Sequence, residues 1–239
     1  MRNLTLLLLL AIAGLASTGD AQAQRLWAGA RAGVARSSLG GDYDDIFGGE
    51  PRSTFTGSAV LGLHATRILA FQAELAYVRK GVTGEIDPAG SYTVDLRYIE
   101  LQMPLLLTVP VAGGRLRPRA YSGISLAYEL SCDFEGKSDF FTGNVPCGTI
   151  YPGVSGGVII FTETNPFEMG WLLGTGLDVA LGPGALTLDL RFNRGLTDIN
   201  SLPTSMENRT LQVLAGYVFY FGGPYEPARA FPRRPGKSR

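Results

Sequence analysis

The chain has 239 residues with 21 basic and 21 acidic side chains, so its formal net charge is zero and its charge balance points to no nucleic acid or other polyanion as partner. It holds 32 glycines and is 10% aromatic, a composition suited to many strands and tight turns in one domain. Apart from one apolar run near the N-terminus, no segment approaches the length of a spanning helix, which excludes a helical membrane protein and leaves a barrel as the only membrane option.

That first run, Leu4 to Ala16, follows Arg2 and leads into a polar stretch closing on Ala21-Gln22-Ala23. It falls short of the roughly 20 apolar residues of a membrane anchor, and the small-x-small close is a cleavage pattern. Residues 1–23 are therefore expected to be a secretory signal peptide, 24–221 the folded domain and 222–239 a basic, proline-rich tail.

Eight strands follow from alternation and turn residues. They run Leu26 to Ser37, Phe55 to Ala65, Leu69 to Lys80, Tyr98 to Val109, Leu116 to Ser131, Gly170 to Leu181, Leu186 to Leu196 and Thr210 to Phe221. Each covers the roughly 9–11 residues that a tilted strand needs to cross a bilayer. The connections at Thr66 to Ile68, Pro110 to Arg115 and Gly182 to Ala185 are short. Those at Leu39 to Thr54, Gly81 to Arg97, Cys132 to Met169 and Thr197 to Arg209 are long and polar, so short and long alternate. An eight-stranded antiparallel up-and-down transmembrane β-barrel with short periplasmic turns and long outside loops is the expected fold.

Side-chain parity then sorts the faces. In Leu186 to Gly195, Leu186, Leu188, Leu190 and Phe192 share one face while Thr187, Asp189, Arg191 and Asn193 share the other. In a bilayer the leucines face lipid and the charges face the lumen. The same parity sends Arg31, Glu74, Glu100, Arg119, Glu129, Asp178, Asp189 and Arg191 inward, where a narrow interior should make them pair. On the apolar faces Phe55, Tyr77, Tyr128, Trp171 and Phe192 fall near the long-loop end, and Phe71, Phe219 and Phe221 near the short-turn end, giving two aromatic girdles.

The stretches FQAELAYVRKG (71–81), LQMPLLLTV (101–109), GLTDI (195–199) and NRTLQVLAGYVF (208–219) resemble the PorT-like outer-membrane β-barrel family. The resemblance covers nearly all of the chain after the leader, in the family's order. It implies an outer-membrane location and, as in some relatives, a part in protein secretion. It carries over no catalytic residues. Gln102 stands where an acid is frequent in the family and Thr108 where a lysine is frequent, which removes the lumen ion pair that pattern would supply. The tail beyond Phe221 is a third departure, since such barrels commonly end at the last strand.

Catalysis has little support. His64 is the single histidine, at the short-turn end of the second strand, and reads as a lumen or interface residue rather than as a base. No nucleophile, metalloprotease or phosphate-loop motif is present. Asp42, Asp44, Asp45 and Glu50 read as solvated loop charge, with no calcium-loop spacing. No cofactor and no metal are expected. Cys132 and Cys147, an even pair in an exported chain, are expected to form a disulfide. The expected protein is a non-enzymatic, monomeric envelope barrel with a plugged lumen, its partners outer-membrane lipid and an envelope or secretion-apparatus protein met by its loops or tail. The readings set against it are a soluble lipocalin-like binder of a small ligand and an outer-membrane lipid-modifying enzyme.

Overall fold

A strand with one apolar and one polar face satisfies both only if the sheet divides two environments, and closing the sheet removes its hydrogen-bonding edges. The computed structural model describes residues 25–41, 49–66, 68–86, 90–109, 111, 115–138, 142–151, 158–159, 164–199 and 205–221. The expected signal peptide and tail lie outside these residues, as do Asp42, Asp44 and Asp45.

In chain order the strands are β1 (Arg25–Gly40), β2 (Glu50–His64), β3 (Leu69–Ile86), β4 (Gly90–Thr108), β5 (Leu116–Ser138), β6 (Thr142–Pro146), β7 (Ile150–Tyr151), β8 (Val158–Ile159), β9 (Phe167–Leu181), β10 (Gly184–Gly195) and β11 (Glu207–Phe221). Eight of them form an antiparallel ring in the order β4-β3-β2-β1-β11-β10-β9-β5, closed by pairing of β4 with β5. The first and last strands pair from Leu26 with Phe221 to Gly40 with Glu207. β6 extends the ring at β5 and β7 pairs with β8. At the short-turn end, β9 passes into β10 through Gly182, whose φ of 59° suits glycine in a tight turn.

The outward face is apolar through the middle of the ring: Val34 is 56% exposed, Phe55 66% and Leu188 54%. The alternate positions, among them Arg31, Glu74, Asp189 and Arg191, are buried inside. This is the inverse of a soluble ligand-binding barrel, which needs its apolar face inward and its charges in water.

One expectation is corrected. The Gly81 to Arg97 connection is mostly strand, since β3 continues to Ile86 and β4 begins at Gly90. β2 likewise begins at Glu50 and β5 continues to Ser138. The strict alternation of short and long connections therefore fails at 87–89. The physical reason is an inversion of pattern. Beyond the apolar belt the outward face meets water, so Thr83 and Glu85 point out, while Val82, Tyr92, Val94 and Leu96 turn inward and are buried. With Leu39, Phe134, Ile199 and Met206 they form an apolar lid over the lumen. A second apolar cluster, built on Trp27, Leu106, Leu172 and Val218, lies toward the short-turn end.

Candidate functional site

Between these two clusters the lumen is filled by one connected polar network. Glycine at inward positions makes the room: a Cβ at Gly216 would stand 2.7 Å from Arg31 Cγ, and one at Gly176 would stand 2.8 Å from Arg119 Nε. From the short-turn side, Arg119 pairs with Asp178 and, at 2.6 Å, with Asp189. Asp189 also contacts Arg31 Nε at 3.3 Å and accepts from Tyr121 OH at 2.9 Å. Arg31 pairs with Glu74 at 3.2 Å, and Arg191 donates to both oxygens of Glu74 at 3.0 Å. Such a two-point contact is the strongest geometry open to a guanidinium and a carboxylate.

Arg191 also donates to Gln102, whose amide donates to Glu100 at 2.7 Å. Glu100 pairs with Lys80 at 2.6 Å, and Lys80 contacts Glu168 at 3.2 Å. Asn208 donates to Glu168 at 2.6 Å and to Tyr98 OH at 3.5 Å, and Tyr98 OH donates to Glu129 at 3.3 Å. The chain of contacts thus runs unbroken from Asp178 to Glu129. Among the described residues, its buried charged members are four cations (Arg31, Lys80, Arg119, Arg191) and five carboxylates (Glu74, Glu100, Glu168, Asp178, Asp189). Charges this deep persist only when each has partners.

All eight residues assigned inward from sequence lie on this chain of contacts. Glu129 is only half-buried and reaches it through a hydroxyl, with Thr164 as its other donor. Sequence reasoning missed Lys80 and Glu168. Lys80 closes the expected third strand with the parity of Glu74, so parity already turned it inward, while Glu168 has the parity of Asp178 and would have been found had the strand before Gly170 been drawn two residues longer. Gln102, in place of the family's acid, bridges Arg191 to Glu100.

The girdle residues Phe55, Phe71, Tyr77, Tyr128, Trp171, Phe219 and Phe221 are exposed on the outward face, and Phe192 is half-exposed. Above the upper girdle, Asp95 contacts Arg79, Arg52 at 3.2 Å and Arg97 at 3.5 Å. Burial pushes its carboxyl up, but the Arg79 hydrogen bond and the neighbouring guanidiniums override this and hold it below the ordinary value.

Cys132 and Cys147 are bridged, and Cys147 N–H donates to Cys132 C=O at 3.0 Å, tying β5 to the end of β6. The GLTDI segment serves the lid: Ile199 is buried there, and Asp198 accepts from Met206 N–H at 3.0 Å. At the other end His64 packs between Trp27 and Tyr220, with ring centroids at 4.6 and 6.2 Å. Glu50 is exposed at the start of β2.

A model of the outer membrane protein beta-barrel domain matches residues 20–201. The chain belongs to that family. This outer-membrane barrel is also similar to three solved structures at low identity. They are OprG of Pseudomonas aeruginosa (12% identity, 84% of this chain and 97% of that one, TM-score 0.48), the neisserial surface protein NspA (13%, 82% and 97%, 0.46) and the attachment invasion locus protein Ail of Yersinia pestis (13%, 81% and 98%, 0.42). No curated protein matches the chain with significance.

Proposed function

We propose that this outer-membrane barrel is a closed, non-enzymatic, monomeric element of the envelope, exported by its leader, plugged by its own side chains, and acting through what it presents at its rims and tail. The observation that carries the reading is the unbroken network from Asp178 to Glu129, held between two apolar clusters. Eight strands enclose a bore that side chains can fill, and here arginine, lysine and carboxylates fill it. The short-turn end then faces the periplasm and the long-loop end the outside. The packing of His64 among Trp27 and Tyr220 supports a structural role for it over that of a base in a lipid-modifying site. Purified protein in planar bilayers is expected to give no steady conductance. Large, stable current steps would sink the plugged-lumen reading.

The resemblance of residues 71–81, 101–109, 195–199 and 208–219 to PorT-like barrels supports a second, finer reading, a part in a protein-secretion apparatus. The disulfide-tied β5–β6 hairpin, standing above the apolar belt, favours a protein partner there. The tail, with Tyr225 and Phe231 among basic and proline residues, is the other candidate docking segment. Crosslinking in native envelopes separates the two. Deletion of 224–239 that leaves every crosslink in place removes the tail from the proposal.

A further inference from the structure

On three neighbouring strands the outward face turns from apolar to basic in one step toward the long-loop rim. Val34 is followed on its face by Arg36, Phe192 by Arg194, and Leu211 is preceded by Arg209. Register gathers them: Arg194 lies opposite Arg209, Arg209 lies opposite Ser38, and Ser38 is the next outward residue after Arg36. Adjacent strands are about 4.8 Å apart, so the three arginines occupy a patch on the order of 10 Å wide. Among the described residues, the one carboxylate recorded on them is Glu207, which accepts from Arg194 Nη2 and Nε at 3.1 and 3.3 Å. Two positive charges remain.

The surroundings make this patch distinctive. Around β2, β3 and β4 the three arginines at the same rim each contact Asp95, and Arg97 also contacts Asp133 at 3.2 Å, so each of them is paired with a carboxylate, whereas among the described residues no such pair is recorded for Arg36 or Arg209. At the short-turn rim the outward face stays apolar to its end, with Leu63, Val109, Leu181 and Phe221 exposed. The patch is therefore a local excess of guanidinium one step beyond a lipid-facing girdle. Side chains at that level reach the lipid head groups. A guanidinium fork matches the oxygens of a phosphate monoester at two points and is weakly hydrated, so it favours such a group over a zwitterionic head group.

We infer that Arg36, Arg194 and Arg209 form a binding site for the phosphate groups of a phosphorylated glycolipid in the outward-facing leaflet. The inference rests on the membrane orientation proposed above. Trp171 supplies a built-in reporter, because it is exposed on β9 directly opposite Arg194. The chain's other tryptophan, Trp27, is buried in the lumen, so contact quenching by lipid reads Trp171.

The test uses the full mature chain in vesicles of phosphatidylcholine with brominated acyl chains, which quench Trp171. Unbrominated diphosphoryl lipid A or its dephosphorylated form is then added at equal mole fraction, and relief of quenching gives the relative affinity. The phosphorylated form is expected to displace the brominated lipid better, and Arg36→Gln and Arg209→Gln to lower its advantage about fivefold for each arginine removed. Neither substitution strips a recorded partner from a buried carboxylate, and heat-modifiable gel migration checks that each variant is folded. Arg115→Gln, at the opposite rim, should leave the advantage unchanged.

Equal relief by the two lipids in the wild type overturns the inference, and so does an advantage that survives the double variant or is lost equally in Arg115→Gln. If brominated lipid leaves Trp171 unquenched, the outward face does not meet lipid at that level, and the membrane reading falls together with the site.

Discussion

Glu74 and Asp95 each gather guanidinium groups, in opposite surroundings. Glu74 and its partners Arg31 and Arg191 have side chains no more than 1% exposed. Asp95 sits at the rim, and the side chains of Arg52, Arg79 and Arg97 around it are 25%, 35% and 40% exposed. The comparison separates two uses of one chemistry. Where water cannot enter, each member of the cluster is indispensable to the others. Where water can replace a lost partner, the cluster tunes and does not hold.

The sharpest way to break that contrast is Glu74→Ala, which takes from Arg191 its carboxylate and leaves Arg31 with Asp189 alone, and should cost about 3–5 kcal/mol. Urea unfolding in lipid vesicles, followed through Trp27 fluorescence in a Trp171→Phe background, would read it. A cost below about 1 kcal/mol would mean that water already reaches the centre of the lumen. Replacing Cys132 and Cys147 together by serine comes next. Their separation of 15 residues is worth about 3 kcal/mol on the chain-entropy model, and the loss should fall on the β5–β6 hairpin. Limited proteolysis should cut there first while the barrel remains intact.

Asp95→Asn should cost less than about 1 kcal/mol, since its partners are solvated and screened. Because the folded carboxyl sits below its ordinary value, its contribution is complete above the ordinary carboxylate range and is lost as pH falls through the depressed value. Amide exchange near residues 79–97 should therefore quicken only in strong acid. Quickening already between pH 7 and 5 would assign the rim to another group. Smallest of all, Arg194→Gln should change stability by only a few tenths of a kcal/mol, as an exposed pair with Glu207.

Parity alone made much of this legible. Leu186 to Asn193 alternates without interruption, so Asp189 and Arg191 could be turned inward from sequence, and the outward leucines marked the lipid belt. The stretch from Gly81 to Arg97 was misread because its apolar residues change sides at the rim: Lys80 faces the same interior as Val82, yet one belongs to the polar network and the other to the lid. A reader following a single apolar face sees the pattern dissolve and infers a loop. Glu168 was lost for the same reason, since β9 begins at Phe167 above the belt. The partners of each buried charge lay beyond sequence reasoning, because Arg191 meets Glu74 across 117 positions of chain.

The pairing of β1 with β11 makes closure the most non-local event in the molecule. Leu26 must find Phe221 across almost the whole folded chain, a search whose entropic cost grows only slowly with length but whose rate falls with contact separation. Until the last 15-residue strand arrives, β1 and β10 each offer an open hydrogen-bonding edge to any neighbour. A chain stalled before β11 is therefore a template for entanglement with other unfinished barrels, and export of the final strand is the step that ends the hazard.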